Sequence, residues 1–135
     1  MPPPDRGRTR RARRRTRAVS RTLRREAWRL VIRAHVAETR DQAIAEVQDG
    51  RERERSEYFR RVAGLRNEST LEQEIEEDTA LVGTPDDVIA AIRRLQDSTG
   101  GFGGFLVLGH DWAGREATLR SYELFGRHVI PDLQG

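Results

Sequence analysis

The order of two segments near the C-terminus most constrains the fold. Gly83-Thr84-Pro85-Asp86-Asp87-Val88 carries the marks of a helix start. The Thr84 hydroxyl is placed to accept from an orphan amide of the first turn, and Pro85 at the first helical position loses nothing by lacking an N–H. Asp86 and Asp87 set negative charge against the positive end of the helix dipole. Val88, Ala91, Ile92 and Leu95 then make one apolar stripe, and Gly100-Gly101 mark the helix end. The chain passes from there into Phe105-Leu106-Val107-Leu108, a glycine-bounded apolar run expected of a strand buried on both faces. A helix delivering the chain into such a strand is half of a parallel unit, so the fold class is α/β.

The rest of the chain extends this pattern. Trp28 to Val36 reads as a strand, rich in β-branched residues but interrupted by Arg29 and Arg33. Thr39 or Asp41 can cap a helix from about Gln42, with Ala43, Ile44 and Val47 on its apolar side. That helix is expected to run past Gly50 through Tyr58, Phe59 and Val62, although Gly50 costs about 1 kcal/mol relative to Ala and marks a possible break. Asn67 to Thr79 reads as a mobile acidic connection with one helical turn near Leu71 to Ile75, the acids from Glu72 to Asp78 being solvated. A last helix is expected from about Arg115 to Ile130, with Leu119, Tyr122, Phe125 and Val129 inward and Pro131 ending it. No internal repeat is present.

Charge divides the chain in two. Residues 1–33 hold 13 arginines against Asp5 and Glu26, whereas residues 34–135 hold 12 arginines against 20 acids. Residues 1–22 contain only one sizeable apolar side chain besides Met1, Val19, and are expected to form a disordered Arg-rich arm, leaving 23–135 as the folded part. The arm would neutralise phosphates without reading sequence, but it lacks the aromatics that stack on bases, so a nucleic-acid role is disfavoured. Its composition has something in common with mitochondrial transit peptides; without an amphipathic apolar face, the expected location is the cytoplasm. No run approaches the roughly 20 apolar residues of a membrane span. With no cysteine and no lysine, thiolate nucleophiles, cysteine metal sites and lysine Schiff bases are excluded.

Candidate chemistry gathers at strand ends. Gly100 to Gly104 is not a phosphate loop, because it follows a helix and opens a strand, the reverse of the dinucleotide-binding order. His110, Asp111 and Trp112 lie just beyond the C-terminal end of the apolar strand, which in a (β/α)8 barrel is the catalytic face. Alternatively, Asp111 caps the last helix and Trp112 packs on its first turn. Arg33 and His35, two apart on one strand, point the same way and could reach a cofactor phosphate or a substrate; a paired structural arginine fits equally well. Arg40 reads as a surface charge and His128 as a partner of its helix dipole. The histidines show no metal-ligand spacing, so no metal is expected.

Four segments together carry a family resemblance: Val82 to Val88, Gly100 to Leu106, Arg120 to Phe125, and Val129-Ile130-Pro131. In this order they closely resemble the ending of luciferase-like flavin-dependent monooxygenases, the limonene 1,2-monooxygenase-like variety above all. Trp28 to Thr39, leaving through His35-Val36-Ala37-Glu38-Thr39, resembles the family's penultimate barrel strand. The match runs from Trp28 onward. It implies a partial TIM-like (β/α)8 barrel, the last two strands and their helices only. It further implies reduced FMN as cofactor, with F420 as the variant in some relatives, a flavin reductase as partner and a small apolar organic substrate. By the same resemblance His110 and Trp112 would lie near the flavin end of the pocket; no residue matches a family catalytic base. A barrel needs eight strands and about 250 residues. The chain is therefore expected to be incomplete and inactive alone. Two other readings stand beside this one, a partial barrel acting as an interaction or self-association module, and the basic-arm nucleic-acid binder.

Overall fold

The computed structural model describes residues 24–62, 64 and 69–135. The expected disordered arm, residues 1–22, lies outside the described residues, as does part of the connection after Val62. A 3-10 turn at Arg25–Ala27 leads into β1, Arg29–Val36. Next come α1 (Arg40–Glu54), a π-helical turn at Arg55–Arg60, and a short α2 (Leu71–Glu76). β2 (Leu81–Gly83), α3 (Pro85–Thr99) and β3 (Gly104–Leu108) follow. The chain closes with α4 (Arg115–Leu124), a π-helical turn at Phe125–Val129, and α5 (Ile130–Gln134).

The three strands form one parallel sheet in the order β2-β1-β3. β1 is central. Leu30 pairs with Phe105 and Arg33 with Leu108 on one side, while Ala34 pairs with Leu81 and Val36 with Gly83 on the other. The three-residue β2 adds to the two strands expected, its signal hidden in the entry to the Thr84 helix.

Helix starts follow the sequence chemistry. Thr84 accepts from the Asp87 amide and the Asp87 carboxylate accepts from the Thr84 amide, a reciprocal cap. Thr39 caps α1 and Thr70 caps α2 in the same way at one and both ends of that exchange. Gly100 ends α3 in the left-handed conformation, φ 79°, as its C-cap reading requires.

Two apolar clusters flank the sheet. Behind it, Ala34, Val36 and Leu81 pack against Val88, Ala91 and Ile92 of α3 and against Phe125 and Val129. At the C-terminal end of β1, on the opposite face, Val82 and Ala37 pack with Ala43 and Val47 of α1 and with Trp112. Residues from the same strand serve different clusters because successive side chains leave a strand on opposite faces.

Four expectations are corrected. The Phe105 strand is not buried on both faces: it is an edge strand, and Leu106 and Leu108 stand exposed because α1, the helix on that face, packs over the C-terminal end of β1 and not over β3. Leu119 and Tyr122 are exposed; the buried stripe of the last helix is Ser121, Phe125 and Val129, a four-residue spacing in which the Ser121 hydroxyl accepts from the Val36 amide 3.0 Å away. Pro131 does not end the helix. The preceding π turn widens the backbone just where the proline ring would meet a carbonyl, so helix resumes through Gln134. The acidic run is also less solvated than expected, with Glu74 paired to Arg51 at 2.8 Å and Asp78 to Arg94 at 2.8 Å. The break allowed for at Gly50 does not occur, and α1 passes through it without interruption.

Candidate functional site

Val31, Arg33 and His35 leave β1 on the face opposite the α3 core, and the register sets Leu106 beside Val31 and Leu108 beside Arg33. Over the C-terminal end of this face lies α1, which presents Gln42, Glu46, Gly50 and Glu54, spaced four apart along one side. The strand's arginine and histidine each meet one carboxylate of that stripe.

Glu54 is the first of these. It takes the Arg33 guanidinium at 2.7 Å and, on its other oxygen, the Trp112 indole N–H at 2.7 Å. The Arg33 guanidinium also lies 5.2 Å from the centre of the Trp112 ring, while the His110 ring stacks on the indole at 4.8 Å. The indole is thus fixed by a hydrogen bond at its edge, an imidazole stacked on its face and a cation close to the ring.

Glu46 is the second. The His35 ring, only 1% exposed, meets it through Nε2 at 2.7 Å. Gln42 donates to the same carboxylate at 3.0 Å, and Arg120 of α4 also binds it. Burial by itself would raise the Glu46 pKa, but hydrogen bonds from His35 and Gln42 and the charge of Arg120 outweigh it and hold the group below its ordinary 4.5.

The main chain engages His110 at both ring nitrogens. Its Nε2 lies 3.0 Å from the Ala34 carbonyl, which only accepts, so Nε2 carries the proton. Its Nδ1 accepts from the Trp112 amide at 3.2 Å. Both nitrogens are therefore engaged by main chain and the ring is a neutral strut. Burial, followed by the nearby charges of His35 and Arg33, pushes its pKa below the ordinary 6.5 against the opposing pull of the Ala34 carbonyl. Asp111 points away: its side chain is 84% exposed, 4.0 Å from Arg53, and α4 starts at Gly114 with no side-chain cap. Asp111 therefore does not cap that helix.

Between this face, α1 and the start of α2 lies an open cavity of about 520 Å³, bordered by Val31, Arg33, Glu54, Phe59, Leu108 and Trp112. Of the five residues singled out in the sequence, Arg33 and Trp112 line it; His35 and His110 stand behind Trp112 and α1, and Asp111 lies apart. Arg40 and His128 are exposed. Among the described residues no group of acids and histidines is arranged to hold a metal ion, and no helix is long and apolar enough to cross a membrane. Glu46 and Glu54 were missed from the sequence, although the four-residue spacing of Gln42, Glu46, Gly50 and Glu54 was there to find them.

The pH dependence follows from the two shifted groups. A group whose pKa is lower folded than unfolded stabilises fully above its ordinary value and loses that contribution as pH falls through the folded one. Stability should therefore fall in two stages on acidification, first below 6.5 as His110 is charged and then below 4.5 as Glu46 is protonated. Urea unfolding across pH 7.5 to 3.5 checks this, and His110→Ala should erase the first stage alone. A stability unchanged between pH 7 and 5 in the parent chain would contradict the assignment.

A parallel sheet with helices packed behind it and a cavity over its front is the arrangement of a segment of an α/β barrel. A monooxygenase structure from Streptomyces bottropensis superposes with a TM-score of 0.69 at 25% identity, over 89% of this chain and 35% of that one. The oxygenating constituent of 3,6-diketocamphane monooxygenase from Pseudomonas putida, a type II Baeyer–Villiger enzyme in complex with FMN, superposes at 0.62 and 24% identity, over 82% of this chain and 34% of its own. In sequence the chain is 41% identical over 121 residues to 4-hydroxyprotoasukamycin monooxygenase of Streptomyces nodosus subsp. asukaensis, 85% of this chain and 33% of the relative. It is 37% identical over 118 residues to limonene 1,2-monooxygenase of Rhodococcus erythropolis, 84% of this chain and 30% of the relative. No model of a known protein family matches the sequence. The chain is homologous to part of the luciferase-like flavin-dependent monooxygenases, and it spans about a third of the length of the curated relatives it matches.

Proposed function

We propose that this chain supplies one wall of the pocket of a flavin-dependent monooxygenase that oxygenates a small apolar organic substrate. The observation that carries the reading is the 41% identity over 85% of the chain to a monooxygenase. The relatives favour it over an interaction module or a nucleic-acid-binding arm. The division into a basic arm, residues 1–22, and a barrel part, residues 23–135, belongs to the same reading, as do a reductase partner and a cytoplasmic location.

The residues present fit part of a flavin. Leu108, Val31, Phe59 and the rim of Trp112 offer apolar and aromatic surface to a planar ring. Arg33 keeps its Nε buried without a hydrogen-bond partner among the described residues, a donor still to be matched by an anionic group. FMN, when bound, supplies oxygen activation, and the protein supplies position and exclusion of water. Here that means Glu54 fixing the Arg33 guanidinium and the indole edge, and His110 holding the indole plane. Neither nitrogen of His110 is free to move a proton, so the residue acts by position. The superposing FMN complex supports FMN as the cofactor of this reading, with F420 the variant the resemblance also allows.

The test is a chimera in which this chain replaces the matched third of the Streptomyces nodosus enzyme. It should bind FMN one to one, followed by flavin fluorescence, and Arg33→Ala should weaken that binding about tenfold, the effect of losing one charged contact. A folded chimera that takes up no flavin would refute the proposal. The chain alone should bind FMN weakly, having one wall of the pocket.

A further inference from the structure

The cavity on the front of the sheet carries more charge than an apolar ligand needs. Arg33, Arg51 and Arg55 line it together with Glu54, Glu74 and Glu77. Four of these six cancel in pairs, Arg33 with Glu54 at 2.7 Å and Arg51 with Glu74 at 2.8 Å. Glu77 is exposed, where water weakens its field. Arg55 is left over. Among the described residues no carboxylate pairs with it, and its Nη1 donates to a main-chain oxygen, the Ser69 carbonyl, at 2.8 Å. Its Nε is buried without a hydrogen-bond partner among the described residues, as is that of Arg33. Buried donors are nearly always matched, so two open ones in the walls of one cavity call for acceptors. The third such nitrogen, on Arg120, belongs to a residue bound to Glu46 and does not line the cavity.

Local structure fixes Arg55 in place. It opens the π-helical turn Arg55–Arg60, a widening of the helix of a kind frequent at functional sites. Phe59, four residues on, lines the same cavity. The Ser69 carbonyl that Arg55 grips also accepts from Arg51 at 2.8 Å, so the guanidinium is oriented before any ligand arrives. A guanidinium with an open N–H is shaped for the oxygen of a carboxylate or phosphate. FMN carries a single phosphate, and the open donor of Arg33 already serves the flavin in the reading above. We propose that Arg55 seats a carboxylate on the substrate, with Phe59 against the substrate's apolar body, so that the pocket selects organic acids over neutral molecules of the same shape. The inference rests on the monooxygenase reading for what is done to that acid. Arg55 is then a specificity-determining residue and takes no part in the oxygen chemistry.

The test titrates the full chain, at neutral pH and fixed ionic strength, with cyclohexanecarboxylate and with cyclohexanecarboxamide, which has the same shape and no charge. Proton–nitrogen NMR follows the Arg55 Nε–H directly. The acid should move that resonance along a saturable curve and bind about tenfold tighter than the amide, the effect of one charge-assisted contact. Arg55→Gln should abolish the preference. Arg53→Gln, which removes the same charge from an exposed position nearby, should keep it. An Arg55 resonance that ignores the acid, or equal binding of acid and amide by the parent chain, would overturn the proposal without recourse to any variant. Loss of the preference in Arg53→Gln would overturn it too, by showing general attraction in place of a seat. Flavin separates the two sources of an anionic oxygen. In the chimera described above, Arg55→Gln should leave FMN binding unchanged; if it weakens FMN as much as it weakens the acid, the seat belongs to the flavin phosphate and the proposal fails. A chimera that refuses FMN, beside a chain that still prefers the acid, would sink the oxygenase reading and leave the seat standing. A chimera that binds FMN, beside a chain with no such preference, would do the reverse.

Discussion

Replacing Gly50 by Ala should destabilise the protein by about 3 kcal/mol, the range of forced overpacking in a tight interior. Helix propensity alone points the other way, with Ala favoured over Gly by about 1 kcal/mol inside a helix. The contact decides it. A methyl on Gly50 would lie 2.1 Å from the Trp112 carbonyl oxygen and 2.4 Å from its Cα, both main-chain atoms that no side-chain rotation relieves. The helix and the Trp112 segment would have to separate, pulling the indole from Glu54 and loosening the cluster of Val47, Val82 and Trp112. Gly126 is the internal control, since nothing lies within 4 Å of a methyl there. Gly126→Ala should be neutral or stabilising by up to about 1 kcal/mol. Urea unfolding followed by tryptophan fluorescence compares the two; a Gly50→Ala chain as stable as the parent would mean that the close approach is absent.

Glu46→Ala should cost about the same, roughly 3 kcal/mol, for an electrostatic reason. Removing one partner of a buried pair leaves the other desolvated and unmatched. Here the residue left is His35, almost wholly enclosed, together with the Gln42 amide and the Arg120 guanidinium, whose Nε already lacks a partner among the described residues. Arg120 comes from α4 and His35 from β1, so Glu46 joins three elements rather than two. Glu46→Gln should cost less, since it keeps the volume and one acceptor oxygen. Both variants should also lose the stage of acid destabilisation below pH 4.5 and keep the stage below 6.5. If Glu46→Ala unfolds at the parent's urea midpoint, the three-element link carries no weight.

Local chemistry in this sequence reads well, and assembly reads less well. Thr84, Pro85 and Asp87 announced the α3 start because caps are satisfied within four residues, and Gly100 announced its end for the same reason. The parallel sense of β1 and β3 followed from the helices that lie between them. β2 could not be seen, as three residues carry no period. The inward face of the last helix was misjudged because Leu119 and Tyr122 are larger and more apolar than Ser121, yet Ser121 earns burial by accepting the Val36 amide. At the site, Arg33 and His35 were found by strand alternation, but their carboxylate partners sit on a helix whose orientation toward the sheet no local pattern fixes. The tautomer of His110 depends on a carbonyl in β1, distant in sequence, and so only the fold reveals it.

The central position of β1 has a consequence for how the molecule is built. β1 is made before both of its described neighbours and waits for them: His35 must find Val82, and Leu30 must find Phe105. Pairings this distant bear the loop-closure entropy of everything between them before any contact rewards it, which slows a chain relative to one of local contacts. Among the described strands, then, β2 can join β1 during synthesis before β3 is made, and the pairing of Leu30 with Phe105 across α3 is the last to form.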